Sequence, residues 1–384
     1  MTANAIPLAQ LVAAAPVSVR VRLVSIDALR GVALVAMALD HAAAFAANGL
    51  VAETYLGQPP HLLSWPYWVS GLFTNLAAPT FWLLAGVSVY LFVEGRRASG
   101  VPEWAITRFL LIRAAVIVAL DLTVSWWLWG NQSINPYTHV LLGLGITIGF
   151  LSVARRVPIR LFAALTFAVL IGYQAYLATA RLDQPQAFPQ VWFLLPSLDA
   201  GFAVEFPVVG WGVLTCFGFV VGHAVRSPVM RRARAWISLA AALFGVWFVL
   251  RLMGGFGDTA PYATGDAWYT FFIMSKAPAS LTFLAFNLGL SALLMSVLVA
   301  HTARLESGAG RWLAVFGQVS LFFFVFHLGV YHVLGQLALD LSLPIPPIAR
   351  IYLVWAIGLV IVAPVVYTYR RLRRQHPNSI LRYL

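Results

Sequence analysis

Two ionisable residues stand side by side inside a long apolar run, Val32-Ala-Leu-Val-Ala-Met-Ala-Leu-Asp40-His41. An imidazole, with an ordinary pKa of about 6.5, accepts protons near neutral pH and can also act as a nucleophile. Burying one in hydrocarbon is costly, so its presence there suggests a function. Asp27, Arg30, Leu34, Met37 and His41 recur at helical spacing and share one face, so the polar members form a stripe. Asp27 and Arg30 lie at the helix start, either as an end-of-helix ion pair or with Arg30 contacting an anionic cofactor. His41 follows about fifteen residues on, roughly 22 Å along an axis rising about 1.5 Å per residue. That depth is the far third of a hydrocarbon layer roughly 30 Å thick.

Other chemistry-bearing positions are few. Asp121 has no basic residue three or four positions away, so its partner is expected on another helix, either His41 or an arginine. Asn75 is the polar candidate in Thr74-Asn75-Leu-Ala-Ala-Pro79-Thr80, where Pro79 is expected to open the hydrogen-bond ladder in mid-membrane. Lys276 is the chain's only lysine, and it reads either as a point charge for an anion or as a snorkelling interfacial residue. His327 and His332 stand five apart, a poor spacing for a shared metal. His327 is expected to face the bundle and His332 to lie near the outer rim. No phosphate loop, Gly-x-Ser-x-Gly elbow or zinc signature occurs, and no metal is expected. The single cysteine, Cys216, excludes an internal disulfide.

The elements that must position these residues are membrane helices. Of 384 residues, 61% are hydrophobic and 10% charged, and mean hydropathy is +0.84, which excludes an ordinary soluble domain. Apolar runs of spanning length occur at 26–48, 69–93, 106–129, 137–154, 159–179, 204–225, 234–253, 277–301, 312–336 and 350–369. The expected fold is an all-α bundle of about ten transmembrane helices. The net charge of +12 comes in short clusters between apolar runs, which argues against a nucleic-acid partner. Arginines at 20–22, 96–97, 155–160, 226–234, 304–311 and 370–374 fall on the side shared by the termini. The opposite side carries only Arg181, Arg251, Lys276 and Arg350, so both termini are expected in the cytoplasm of a multi-pass cell-membrane protein. Residues 1–20 read as a flexible tail without a cleaved signal, 21–374 as one domain and 375–384 as a short tail. Loops 49–68, 180–203 and 254–275, rich in aromatics and prolines, are expected to ring a mouth on the outer side.

Read in order, Arg22…Ser25-Ile-Asp27-Ala-Leu-Arg30-Gly31…Met37…Asp40-His41, Asn75-Leu-Ala-Ala-Pro79-Thr80-Phe…Gly86-Val-Ser88, Phe206-Pro207…Gly210…Gly218…Gly222, Lys276-Ala-Pro-Ala-Ser280-Leu and Phe316-Gly…Leu321-Phe-Phe…His327 resemble the bacterial branch of the heparan-alpha-glucosaminide N-acetyltransferase catalytic-domain family. More distantly, Arg30 with His41 eleven positions later is similar to the first helix of membrane acyltransferases that modify surface polysaccharides. The resemblance implies transfer of an acyl group, acetyl above all, from cytoplasmic acyl-CoA to an amino or hydroxyl group of a sugar or glycolipid on the far side. In lysosomal members the histidine regarded as catalytic lies in the loop after the first helix. His61 is the one histidine in that loop here, so the role falls to His41 or His61. On this reading Asp121 or Asp40 holds the His41 tautomer and Asn75 donates to an oxyanion. Arg30, Asp27, Lys276 and His327 contact the acyl-CoA. A transporter or flippase for a small lipid or sugar is the competing expectation, because carriers also use intramembrane charges and broken helices. Oligomeric state is left open, a dimer included.

Overall fold

In hydrocarbon every backbone N–H and C=O must find a partner within the chain, so long apolar segments coil into helices. The protein, seen here as a computed structural model, is described over residues 23–47, 49–50, 54–55, 64–129, 137–182, 188–197, 203–308, 310–342 and 344–384. It is an all-α membrane protein. Among the described residues nine helical stretches are long and apolar enough to cross a membrane, and Val140–Ala154 is a shorter apolar helix. We label the helices used below α1 (Val24–Ala46), α2 (Trp65–Thr74), α3 (Ala77–Ala98), α4 (Glu103–Leu120), α5 (Val140–Ala154), α6 (Ile159–Thr179), α7 (Val208–Val225), α8 (Ala233–Met253), α9 (Leu281–Ala300), α10 (Gly310–Gln318), α11 (Ser320–Asp340) and α12 (Pro347–Gln375).

Helix α1 is the hub, packed against α3, α9, α10, α11 and α12. Small residues allow this closeness. A methyl group at Gly31 would overlap the Leu313 carbonyl on α10, and one at Gly317 would overlap the Asp27 carbonyl on α1. Helices α3 and α7 meet in the same way, with Gly86 against the Thr215 carbonyl and Gly218 against that of Leu83. Backbones in lipid associate through such close packing, since no water is expelled to drive them together.

Four details depart from the expected spans. The break in the second span falls at Asn75–Leu76, with Pro79 inside the first turn of α3. The ring of Pro79 clashes with the carbonyl four residues back, which is that of Asn75, so the helix ends there. The expected span 312–336 divides at Val319 into α10 and α11. There the carbonyls of Gly317 and Gln318 accept from Arg30 Nη1 at 3.0 Å and Arg373 Nη2 at 3.1 Å. Arginine side chains thus satisfy groups that another helical turn would have used. The expected span 277–301 starts later, at Leu281, after Ser280 caps it by accepting from the Phe283 N–H at 3.2 Å. Finally, two short parallel strand pairs clip the loops: β1 (Thr54–Tyr55) with β4 (Ser275–Ala277), and β2 (Tyr137–Thr138) with β3 (Ala203–Val204).

Both described chain ends gather at one end of the bundle. Tyr383 stacks on Phe109 with centroids 5.0 Å apart, and Tyr369 donates to the Leu381 carbonyl at 2.8 Å. At the opposite end Arg251 pins the loop after α8. Its side chain and that of Asp258 are both fully buried and pair at 2.5 Å, while the guanidinium also donates to the carbonyls of Ala260, Thr270 and Phe271. Removing one partner of such a pair strands a buried charge.

Arg251→Ala is therefore expected to lower unfolding stability in detergent by about 3–5 kcal/mol. Arg97→Ala, which breaks the exposed pairs with Glu94 and Glu103, should cost about 1 kcal/mol or less. Thermal unfolding of the two purified variants checks the contrast. In the same assay Gly86→Ala should destabilise through backbone overlap by about 1–3 kcal/mol. Gly245→Ala, which meets nothing within 4 Å, should not.

Candidate active site

At the end of the bundle opposite the chain termini, α1 and α11 bring two imidazoles together. His41 Nδ1 lies 2.8 Å from His327 Nε2, the rings are stacked at 5.0 Å, and both side chains are buried. His327 Nδ1 lies 2.9 Å from the Phe323 carbonyl, one helical turn back. A carbonyl only accepts, so His327 carries its proton on Nδ1 and a neutral His327 presents a lone pair at Nε2. That lone pair takes the proton on His41 Nδ1, and the remaining lone pair of neutral His41 sits on Nε2. Among the described residues His41 Nε2 has no hydrogen-bond partner. It is the basic atom of the site.

The residues around His41 come from loops and broken helices. Trp129 meets the His41 ring edge-on at 5.3 Å and stacks on His139 at 5.3 Å with only 13° between planes. His139 Nε2 lies 3.0 Å from Glu205 Oε2. Strand register makes that contact, because Thr138 pairs with Val204 and the next residues along each strand are His139 and Glu205. Glu205 and Lys276 both act electrostatically on His41, with His327 and His139. Lys276 is buried on β4, and the backbone beyond it is held by the buried Gln174 of α6, which donates to the Ala279 carbonyl and accepts from the Leu281 N–H.

Asp121 opens a turn of π-helix, Asp121–Ser125, that ends α4. Its carboxylate accepts from the backbone N–H of His139 at 2.9 Å. His139 directly precedes α5. That helix has 15 residues, about 22 Å at 1.5 Å per residue, so it is too short to cross a layer roughly 30 Å thick. Asp121 satisfies the backbone N–H of the residue just before it. The acceptor for the His41 Nδ1 proton is His327, where the sequence suggested Asp121 or Asp40. Asp40 instead accepts from Thr74 Oγ1 at 3.3 Å. Asn75, next to Thr74, is buried, and its side-chain amide has no hydrogen-bond partner among the described residues.

Arg30 and Asp27 lie at the other end of α1. They pair at 3.6 Å, and Arg30 also donates to the carbonyls of Gly317 and Leu84 and to Ser88 Oγ, tying α1 to α10 and α3. His332 packs edge-on against Phe45 at 5.2 Å, away from the His41–His327 pair. His61 lies outside the described residues. Sequence reasoning missed His139 and Glu205. A signal was present, since the chain has only 13 acidic residues, Glu205 lies three residues before an apolar helix and His139 immediately before one.

Comparison with known proteins bears on this site. Residues 22–254, well over half of the chain, match the family described as heparan-alpha-glucosaminide N-acetyltransferase, catalytic. The match takes in His41, His139 and Glu205 and ends before Lys276 and His327. A stretch of 183 residues is 28% identical to undecaprenyl-diphosphatase of Dinoroseobacter shibae and covers 41% of this chain. The chain spans 65% of that relative's length, just under two thirds. The family match over residues 22–254 shows that the chain, a bundle of apolar helices, belongs to the heparan-alpha-glucosaminide N-acetyltransferase catalytic-domain family.

Proposed function

We propose that the protein transfers an acyl group, acetyl first among candidates, from acyl-CoA to an amino or hydroxyl group of a sugar or glycolipid. The donor enters at the arginine-rich end, read as cytoplasmic, and the acceptor at the histidine end, read as the outer face of the cell membrane. The observation that carries this reading is the His41–His327 pair, which leaves the basic lone pair of His41 on Nε2.

In the transfer the acceptor's N–H or O–H proton passes to His41 Nε2 as the acceptor lone pair forms a bond to the thioester carbonyl carbon. The C–S bond then breaks, and the proton leaves on the coenzyme A thiol. His41 can also carry the acyl group itself: Nε2 bonds to the carbonyl carbon as the C–S bond breaks and the coenzyme A thiolate leaves, and the acceptor then bonds to that carbon as the Nε2–C bond breaks, its proton neutralising the thiolate. Charge develops on the carbonyl oxygen in both routes. The Asn75 amide, buried and with spare donors, and the Lys276 ammonium are assigned to meet it. We assign Asp121 the placing of His139 through its backbone N–H, and Asp40 the bracing of α1 against Thr74. Arg30, oriented by Asp27, and the arginines near it attract the donor's phosphates.

His41→Ala, in protein shown to fold and reach the membrane, should lose about 10²–10⁴-fold in acyl transfer from labelled acetyl-CoA. Undiminished turnover would remove His41 from the mechanism and move the role to His61 or His327. His327→Phe keeps the volume and deletes the acceptor for His41 Nδ1. It should lower kcat with the KM for acetyl-CoA unchanged. A raised KM at constant kcat would instead make His327 a donor-binding residue.

A further inference from the structure

Far from the histidines, a cavity of about 410 Å³ opens between the start of α10 and the last turns of α12. Its walls carry Arg311, Arg370, Arg371 and Arg374 with Tyr367, and all four charges are positive. Guanidiniums gathered around one space make it positive, and planar forks of this kind match phosphate oxygens two at a time. The aromatic pair Trp312–Tyr367, with centroids 4.5 Å apart, stands at the rim. Paired aromatic rings of this kind gather at headgroup depth in membrane proteins.

The face of α12 that forms the cavity continues away from the chain ends as bare hydrocarbon. Leu353, Ile357 and Val360, together with Pro364, Tyr367, Arg371 and Arg374, follow three- and four-residue steps along one side of the helix. Val360 is 74% exposed, and Leu353 and Ile357 are 42% exposed. From Val360 to Arg371 the helix rises about 16 Å. One exposed face therefore offers apolar surface first and a cationic pocket at its end. The apolar track is the face that a membrane span turns to lipid, so a phospholipid lying along it brings its phosphate to the pocket. Arg30, half-buried between α1, α3 and α10, is not part of this surface.

We propose that this pocket is a binding site for the phosphate headgroup of an anionic membrane lipid, with the acyl chains running along the Leu353–Ile357–Val360 side of α12. Basic pockets between membrane helices are suited to such headgroups. The site stands independently of the acyl-transfer reading, since its evidence lies on a different surface.

The test uses the full-length protein in detergent, titrated with phosphatidylglycerol or phosphatidylcholine while thermal unfolding is followed. Phosphatidylglycerol should raise the unfolding temperature saturably and phosphatidylcholine should not. In the triple variant Arg311→Gln, Arg371→Gln, Arg374→Gln the half-saturating phosphatidylglycerol concentration should rise roughly 100-fold. If the triple variant does not fold, Arg371→Gln alone carries the comparison, with a rise of roughly fivefold expected. A third titration adds the adenosine bisphosphate portion of coenzyme A. A saturable shift from that compound, lost in the variant, would make this a soluble-nucleotide site and overturn the lipid assignment. A phosphatidylglycerol response equal in variant and wild type would overturn the site altogether.

Discussion

An imidazole taken out of water into a lipid-embedded bundle loses its solvent partners, and the loss is tolerable only where protein groups replace them. His41 and His327 replace each other's, and the replacement has a direction. The Phe323 carbonyl cannot donate, so it fixes the proton of His327, and His327 in turn fixes that of His41. The chain of donors ends in one basic nitrogen. Most of what surrounds the pair can be understood as holding α1 and α11 close enough for this contact between residues 286 positions apart. Glycines set into the facing carbonyls bring α10 against α1, and α10 leads directly into α11.

The loops at the histidine end are held by equally specific means. The carboxylate of Asp121 takes the backbone N–H of His139 and so fixes that residue at the start of the short helix α5. Two-residue strand pairs are too small to stabilise a sheet, yet they fix register, and one register brings His139 to Glu205. Gln174 ties the segment that carries Lys276 to α6, and Arg251 with Asp258 closes the loop before it. Each device joins a buried polar side chain to backbone that no regular helix could satisfy.

The other end is organised by arginine. Arg30 and Arg373 donate to consecutive carbonyls at the α10–α11 break, and Arg155 donates to Ser152 and Glu103 where α5 ends. These guanidiniums complete helix ends as well as carrying charge. Near neutral pH the side chain holds its proton far more tightly than an ammonium or imidazolium, so it can serve both purposes. The two ends are linked by α1, whose polar stripe runs from Asp27 and Arg30 to Asp40 and His41, about 21 Å along its axis.

Much of this was legible in the sequence because hydrocarbon imposes a simple code. Apolar length identified the helices, and the spans at 159–179 and 234–253 agree with the structure to within one residue. The cost of burying charge singled out His41, Asp121, Lys276 and His327 before any contact was known. Where helices stop was less legible, because the stops at Val319 and Asn75 depend on arginines from distant segments and on a proline acting backwards. The local pair of Asp27 with Arg30 was legible, but which groups meet across distant segments was not. The pairing of His41 with His327, the hold of Asp121 on the His139 backbone and the His139–Glu205 contact join segments through packing and strand register. Those depend on where backbones come to lie in three dimensions, and one chain's local pattern of polarity carries no record of that.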